Sequence, residues 1–291
     1  MRVSKGERVF SILNYVVLFL ISALALYPFI YVLSASLSHG DAVSAGQVVL
    51  FPVGFNLNSF KKVLVIPNIW VAYGNTIFYT VVGTFTCMVF SITGAYALSK
   101  ERLMGKKLFT IMVTLTMWFK AGIVPEFLNF RDLGLYNSRA VVIIGFAIVA
   151  FNVILLKTYF ESVPASLEES AQIDGANDLK ILWSIYMPLS KPGLATVALF
   201  YAVSKWNGYF WSMILLRDES KIPLQVLLRK LIVEMNATAE FSDALEMAKQ
   251  GYSVETVVYA TIIVSIIPIV LMYPFIQKYF AKGAMIGAVK G

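Results

Sequence analysis

Apolar residues in this chain gather into blocks of about 20, the helix length that spans a hydrocarbon core of roughly 30 Å. Six blocks stand out: about Ile12–Leu33, Val71–Leu98, Leu108–Phe119 running on to Phe127, Ala140–Leu156, Gly193–Leu216 and Val254–Ile276. The third is interrupted by Lys120 and Pro125. Hydrocarbon offers no partner to an open backbone N–H or C=O, so each block is expected to be a helix. The expected fold class is an all-α membrane protein, with one transmembrane domain over residues 1–291. Apolar residues make up 58% of the chain and charged ones 14%, which excludes a soluble enzyme and a disordered chain. The first block is too long for a signal peptide and reads as an uncleaved anchor.

Lysine and arginine in short loops set orientation. Arg2, Lys5 and Arg8 precede the first block, Lys100, Arg102, Lys106 and Lys107 follow the second, and Lys278, Lys282 and Lys290 follow the sixth. With these inside, both termini are cytoplasmic, and so is the 159–192 loop. Ser34–Trp70 and the 218–253 segment then lie outside. Asn58–Leu64 and Leu224–Met235 mix apolar and basic residues at helical spacing, as surface-lying or partner-docking helices do. The net charge of +7 fits membrane orientation, with no nucleic-acid partner expected.

The chemistry the chain lacks is equally informative. It has no phosphate-cradling G-x-x-x-x-G-K-[ST] loop, so it cannot hold a nucleotide by itself. One cysteine, Cys87, and one histidine, His39, allow neither an internal disulfide nor a His-rich metal centre. No serine has a histidine base beside it, so no catalytic residue is assigned. No block carries a mid-span Asp or Glu of the kind an ion-coupled secondary transporter uses.

The loop between the fourth and fifth blocks has more order than a chain reversal needs. Pro164 can open a helix, Ser166 and Glu169 fit a capping box, and Glu168 with Glu169 suits the first turn's dipole. Asp174-Gly175 supplies a turn, and a second helix is expected over about Ala176–Tyr186. A helix-turn-helix of this kind on the cytoplasmic face could transmit force from a partner.

Glu169-Ser-Ala171-x-x-x-Gly175, followed by Ile185-x-Met-Pro188-Leu, resembles the "EAA" loop of inner-membrane permeases of binding-protein-dependent ABC importers, with Ser170 where alanine is usual. Gly122-Ile-Val-Pro125 with Leu133-Gly-Leu-Tyr-Asn137, Pro223-Leu-Gln225 with Leu228-Arg229, and Tyr273–Phe280 with Gly283, Gly287 and Gly291 resemble the polysaccharide and oligosaccharide subgroup, whose members import alginate- and pectin-type fragments. The resemblance covers nearly the whole chain. It implies the six-helix type I, maltose-permease-like fold of the bacterial inner membrane. It also implies a second homologous permease forming a heterodimer, two ATPase subunits carrying ATP and Mg, and an extracytoplasmic solute-binding protein. No cofactor would be bound by this chain. Glu168, Glu169, Ala171, Asp174, Gly175, Ala176 and Leu179 would then couple to one ATPase.

Ionisable groups inside a span are costly and mark pathways. Lys205 lies midway along the fifth block. At 100° per residue, Tyr201, Lys205, Gly208, Tyr209 and Ser212 share one face, with Asn207 about 120° away and Trp206, Phe210 and Trp211 on other faces. Trp206-Asn207 matches a pair common in sugar permeases. Aromatic faces suit sugar rings, and Lys205 could meet a hydroxyl or a carboxylate of the substrate, pair with the neighbouring permease, or snorkel. Asn75, Thr76, Tyr79, Thr80, Gly83 and Thr84 form a small and polar stripe in the second block, expected to pack against another helix. An ABC permease for peptides or amino acids is the nearest alternative. A stand-alone secondary transporter or channel is the second, and an intramembrane enzyme, for which no catalytic set is present, is the third.

Overall fold

The computed structural model describes residues 5–237, 247 and 249–288, with side chains for 6–233, 247 and 249–271. The side chains of Arg2, Lys5, Lys278, Lys282 and Lys290, and those of the Tyr273–Gly291 motif, lie outside the described residues, as does part of the 218–253 segment. The described chain is helical, with no strand. In order it runs α1 (Lys5–Ser36), α2 (Gly40–Ser44), α3 (Asn58–Val65), α4 (Pro67–Ser99), α5 (Lys106–Leu115), α6 (Ile123–Asp132), α7 (Arg139–Ile144) and α8 (Ala150–Glu161). It continues through α9 (Ala165–Ile173), α10 (Asp178–Ile181), a π-turn (Leu182–Tyr186), α11 (Met187–Leu189), α12 (Lys191–Asn207), α13 (Phe210–Leu215), α14 (Leu224–Ala237) and α15 (Val254–Ala288).

Three described stretches are long and apolar enough to cross a membrane: Gly6–Ser36, Pro67–Ser99 and Val254–Leu271. They correspond to the first, second and sixth blocks. The other three blocks are not single helices. The third parts into α5 and α6 around Gly122, whose φ of 91° a helix cannot accommodate, and Pro125 falls in the first turn of α6, where its missing N–H costs nothing. The fourth parts into α7 and α8. The fifth parts into α12 and α13 at Gly208, which is extended (φ −70°, ψ 104°).

In the following loop the expected turn is present: Gly175 sits at φ 76°. The capping box does not form. Pro164 takes the N-cap position and α9 starts directly after it, leaving Ser166 within the first turn, where its carbonyl accepts from Ser170 Oγ at 2.8 Å. The second helix begins at Asp178 because Asn177 caps it, its Oδ1 accepting the Lys180 N–H at 2.9 Å, and it runs on through the π-turn to Leu189.

The chain divides into two compact units. One comprises residues 1–69 and 228–268. Here Ala35, Ala42, Val43 and Val48 form a small core with Tyr31 and Tyr259 packed on it. The 250–256 stretch is stitched to it by Gly40 N–H to Gly251 O (3.2 Å), Asn58 Nδ2 to Gln250 O (2.8 Å) and Ser59 Oγ to Thr256 Oγ1 (2.8 Å). None of the most apolar window of α1 is buried within the chain, so lipid or another subunit must cover it.

The other unit comprises residues 70–227 and 269–291. Its core joins Cys87, Ala95 and Tyr96 of α4 to Leu156 and Phe160 of α8, Val197 and Tyr201 of α12, and Ile181 and Tyr186 of the loop. Helices α8 and α12 are in tight contact at Gly193, where a Cβ would come within 2.4 Å of the Tyr159 ring. Gly193→Ala is therefore expected to cost about 1–3 kcal/mol, read as a lowered melting temperature of the detergent-solubilised protein. An unchanged melting temperature would show that Tyr159 moves aside freely.

Candidate functional site

The break between α7 and α8 strips backbone groups of their helical partners, and α12 replaces them. Val142 and Ile143 carbonyls point past the end of α7, where the residues four later have left the helix. Lys205 Nζ donates to both, at 2.6 and 3.3 Å. One turn earlier on α12, the buried Tyr201 hydroxyl accepts the Val149 N–H at 3.2 Å, just before α8 begins, and shares a 2.6 Å hydrogen bond with Ser91 Oγ. Open peptide groups in an apolar setting are costly, so the two side chains hold the broken ends in place. The Lys205 stem lies along α4 at Gly83, where a Cβ would sit 3.1 Å from its Cε.

A cavity of about 470 Å³ opens at this junction. Val141, Val142, Phe146 and Val149 line it from the break, Tyr201, Ser204, Lys205 and Asn207 from α12, and residues from Gly208 to Ser212 from the next break onward. Tyr201, Lys205, Asn207, Tyr209 and Ser212 thus come together, though not as one helical face. α12 ends at Asn207, and the extended Gly208 delivers Tyr209 and Ser212 from a second direction. Trp206 stands behind the wall, buried and edge-on to Tyr73 at 6.0 Å. A second cavity of about 700 Å³ shares Phe146, Val149, Phe210 and Trp211 with the first and adds Lys120, Gly122 and Glu126. Every break therefore borders a cavity, the setting in which irregular backbone is tolerated at membrane depth.

Phe146, Val149 and Ser204 were not among the sequence candidates, since nothing in an apolar run marks where it will leave the helix. Two of the three ammonium donors of Lys205 serve carbonyls, which leaves one for whatever enters the cavity. The aromatic side of the wall is a linked set, with Trp211 5.3 Å from Phe146 and 5.6 Å from Phe210 between centroids.

In the loop, Glu169, Asp174, Gly175 and Leu179 are exposed, and Ala171 and Ala176 pack against the core. Glu168 turns inward. Its Oε2 lies 2.8 Å from Lys100 Nζ and accepts the Tyr186 hydroxyl at 2.5 Å. Burial alone would push its carboxyl up, but the bonds from Lys100 and Tyr186 outweigh it and hold Glu168 below the ordinary carboxylate range. Burial and the same carboxylate push the Tyr186 phenol up.

A family model described as the binding-protein-dependent transport system inner membrane component matches residues 6–285. The chain belongs to this family. It is 41% identical over 286 residues to the polygalacturonan/rhamnogalacturonan transport system permease protein of Bacillus subtilis, covering 98% of this chain and 99% of that one. It is 38% identical over 291 residues to protein LplC of the same organism, covering 99% and 97%. Among solved structures it resembles a bacterial ABC transporter involved in the import of the acidic polysaccharide alginate, with a TM-score of 0.91, 52% identity, and coverage of 96% of this chain and 99% of that one.

Membership sets aside a stand-alone secondary transporter and an intramembrane enzyme. One family-like motif also gains a physical role in this permease. Asn137 takes a left-handed conformation (φ 54°), and its Oδ1 accepts the N–H groups of Arg217 and Asp218 at 3.0 Å each. On the α4 stripe, Gly83 meets α12 at Lys205 as a packing stripe would, whereas the polar residues bind the stretch that leads into α14: Asn75 Nδ2 donates to Ser220 and Ile222 carbonyls (2.8 and 3.1 Å), Thr76 Oγ1 accepts the Leu224 N–H (2.8 Å), and Tyr79 donates to the Lys221 carbonyl (2.7 Å).

Proposed function

We propose that this permease subunit translocates acidic oligosaccharides, handed over by a solute-binding protein and driven by ATP. The observation that carries the reading is Lys205: a cation set into the wall of an aromatic cavity where broken helices meet, with a donor to spare. Tyrosine, asparagine and serine suffice for hydroxyls, whereas a uronate carboxylate gains a charge-assisted bond from lysine. Two relatives, a transporter involved in alginate import and a polygalacturonan/rhamnogalacturonan transport system permease, point the same way.

In this reading the chain crosses the membrane six times, the third, fourth and fifth crossings each being a pair of helices (α5–α6, α7–α8, α12–α13). Both termini and the 159–192 loop are cytoplasmic. A second, homologous permease completes the passage. Two ATPase subunits supply nucleotide and Mg, and one of them receives α9 and the loop beyond it. Ile173, Leu179 and Trp183 are 87%, 66% and 65% exposed there, apolar surface that a cleft on a partner would bury. ATP-driven closure of that partner would swing the helices between inward- and outward-facing states.

The test is ATP hydrolysis by the reconstituted complex with its binding protein, against matched neutral and uronate oligosaccharides. Stimulation by the uronate series alone is expected. Stimulation by the neutral series alone would overturn the acidic assignment.

A further inference from the structure

Lys100 follows directly on the last residue of α4, yet its side chain is only 8% exposed. Its ammonium sits 4.0 Å from the centre of the Tyr96 ring and 3.9 Å from that of Tyr186, with Glu168 Oε2 at 2.8 Å. The Tyr186 hydroxyl closes the ring of contacts on the same carboxylate oxygen at 2.5 Å. Phe160 packs edge-on against both tyrosines. Beside this cluster Arg102 pairs with Asp178, and the Tyr96 hydroxyl donates to the Asp178 carbonyl at 3.2 Å. The cation thus comes from the end of α4, the anion from α9, and one aromatic wall from the π-turn. Asp178 and Tyr186 stand on either side of most of the π-turn (Leu182–Tyr186), and the first meets Tyr96 while the second meets Lys100.

A buried ion pair is weak as a stabiliser, because desolvation offsets most of the attraction. What it supplies is fixed geometry between two elements. Here the elements are the loop helix and α4, and α4 continues without interruption to Gly83, against which the Lys205 stem lies, and to Asn75 and Thr76, which hold residues 220–224. We infer that Lys100, Glu168 and Tyr186 form the joint that passes movement of α9 to α4 and, along it, to the Lys205 cavity. They are positioning residues: Glu168 faces this joint, while its neighbour Glu169 faces outward. The inference rests on the reading that α9 seats in a cleft of an ATPase subunit.

The test uses the full complex in liposomes, with ATP hydrolysis measured with and without loaded binding protein, and sugar taken up per ATP. In Lys100→Met/Glu168→Met both charges are removed together, so no lone buried charge is left to unfold the loop. The variant is expected to assemble and keep its basal hydrolysis, while stimulation by loaded binding protein falls by about tenfold or more and the sugar-to-ATP ratio falls with it. Lys100→Arg, which keeps the cation, should restore much of both. A double variant that assembles with wild-type stimulation and ratio would overturn the inference. Should that variant not assemble, Tyr186→Phe decides. It loses only the hydroxyl bond to Glu168, so stimulation must fall at constant assembly, and unchanged stimulation overturns the joint. Failure of the underlying reading looks different: Ile173→Glu/Leu179→Glu would still retain the ATPase subunits on co-purification.

Discussion

Lys205→Met is expected to lower uptake of a uronate oligosaccharide by roughly 10-fold or more, since it removes one charge-assisted bond to the sugar, at about 1.5–3 kcal/mol, and also the donor that the Val142 and Ile143 carbonyls share. The complex should still assemble. Two other roles for the lysine give different results. If it pairs with a carboxylate of the second permease, Lys205→Met loosens the permease pair on size-exclusion chromatography. If its whole role is to hold the Val142 and Ile143 carbonyls, then Lys205→Gln, which keeps N–H donors but no charge, restores uptake. Restoration by glutamine would sink the charge assignment. Lysine at the centre of a span costs about 2.5–3.5 kcal/mol to insert, so its retention asks for a compensating role of this size.

Gly175→Val is the second large effect. Gly175 holds φ 76° between α9 and α10, and a Cβ there would meet nothing within 4 Å. The penalty is thus purely one of backbone, about 1–3 kcal/mol for a side-chain-bearing residue held in the left-handed region, and more for a β-branched one. The turn should open, α9 should lose its angle to α10, and stimulation of ATP hydrolysis by loaded binding protein should disappear. Asn tolerates this conformation, so Gly175→Asn should keep most of the stimulation. Full uptake with normal stimulation in Gly175→Val would refute the role of the turn.

Composition and periodicity located every apolar block, and the Asp174-Gly175 pair located the turn, because both signals are local. The parting of the third block was also local, written in Lys120, Gly122 and Pro125. The parting of the fourth was not. Residues 145–149 read Gly-Phe-Ala-Ile-Val, and what opens the helix there lies in the fifth block, where Tyr201 and Lys205 offer the bonds that the backbone gives up. For the same reason a helical wheel gathered Tyr201, Lys205, Tyr209 and Ser212 for a geometry that does not exist: α12 stops at Asn207, yet the four residues meet at the cavity. Lys100 was counted as a loop charge that orients the chain. Its burial against Tyr96, Tyr186 and Glu168 depends on contacts up to 86 positions away, between Lys100 and Tyr186, which spacing along one helix cannot reveal.

The backbone bonds of Tyr201 and Lys205 also bear on how the proposed passage could change its cargo. A lineage that gave up the lysine to carry an uncharged sugar would strand two carbonyls at the end of α7 in the same step. It would need a new donor for them, or a healed helix across residues 145–149, before the altered passage held its shape. On the proposed role of Lys205, selectivity and backbone course would be inherited together, and a shift in diet would have to arrive as a coordinated change in two distant stretches of the gene.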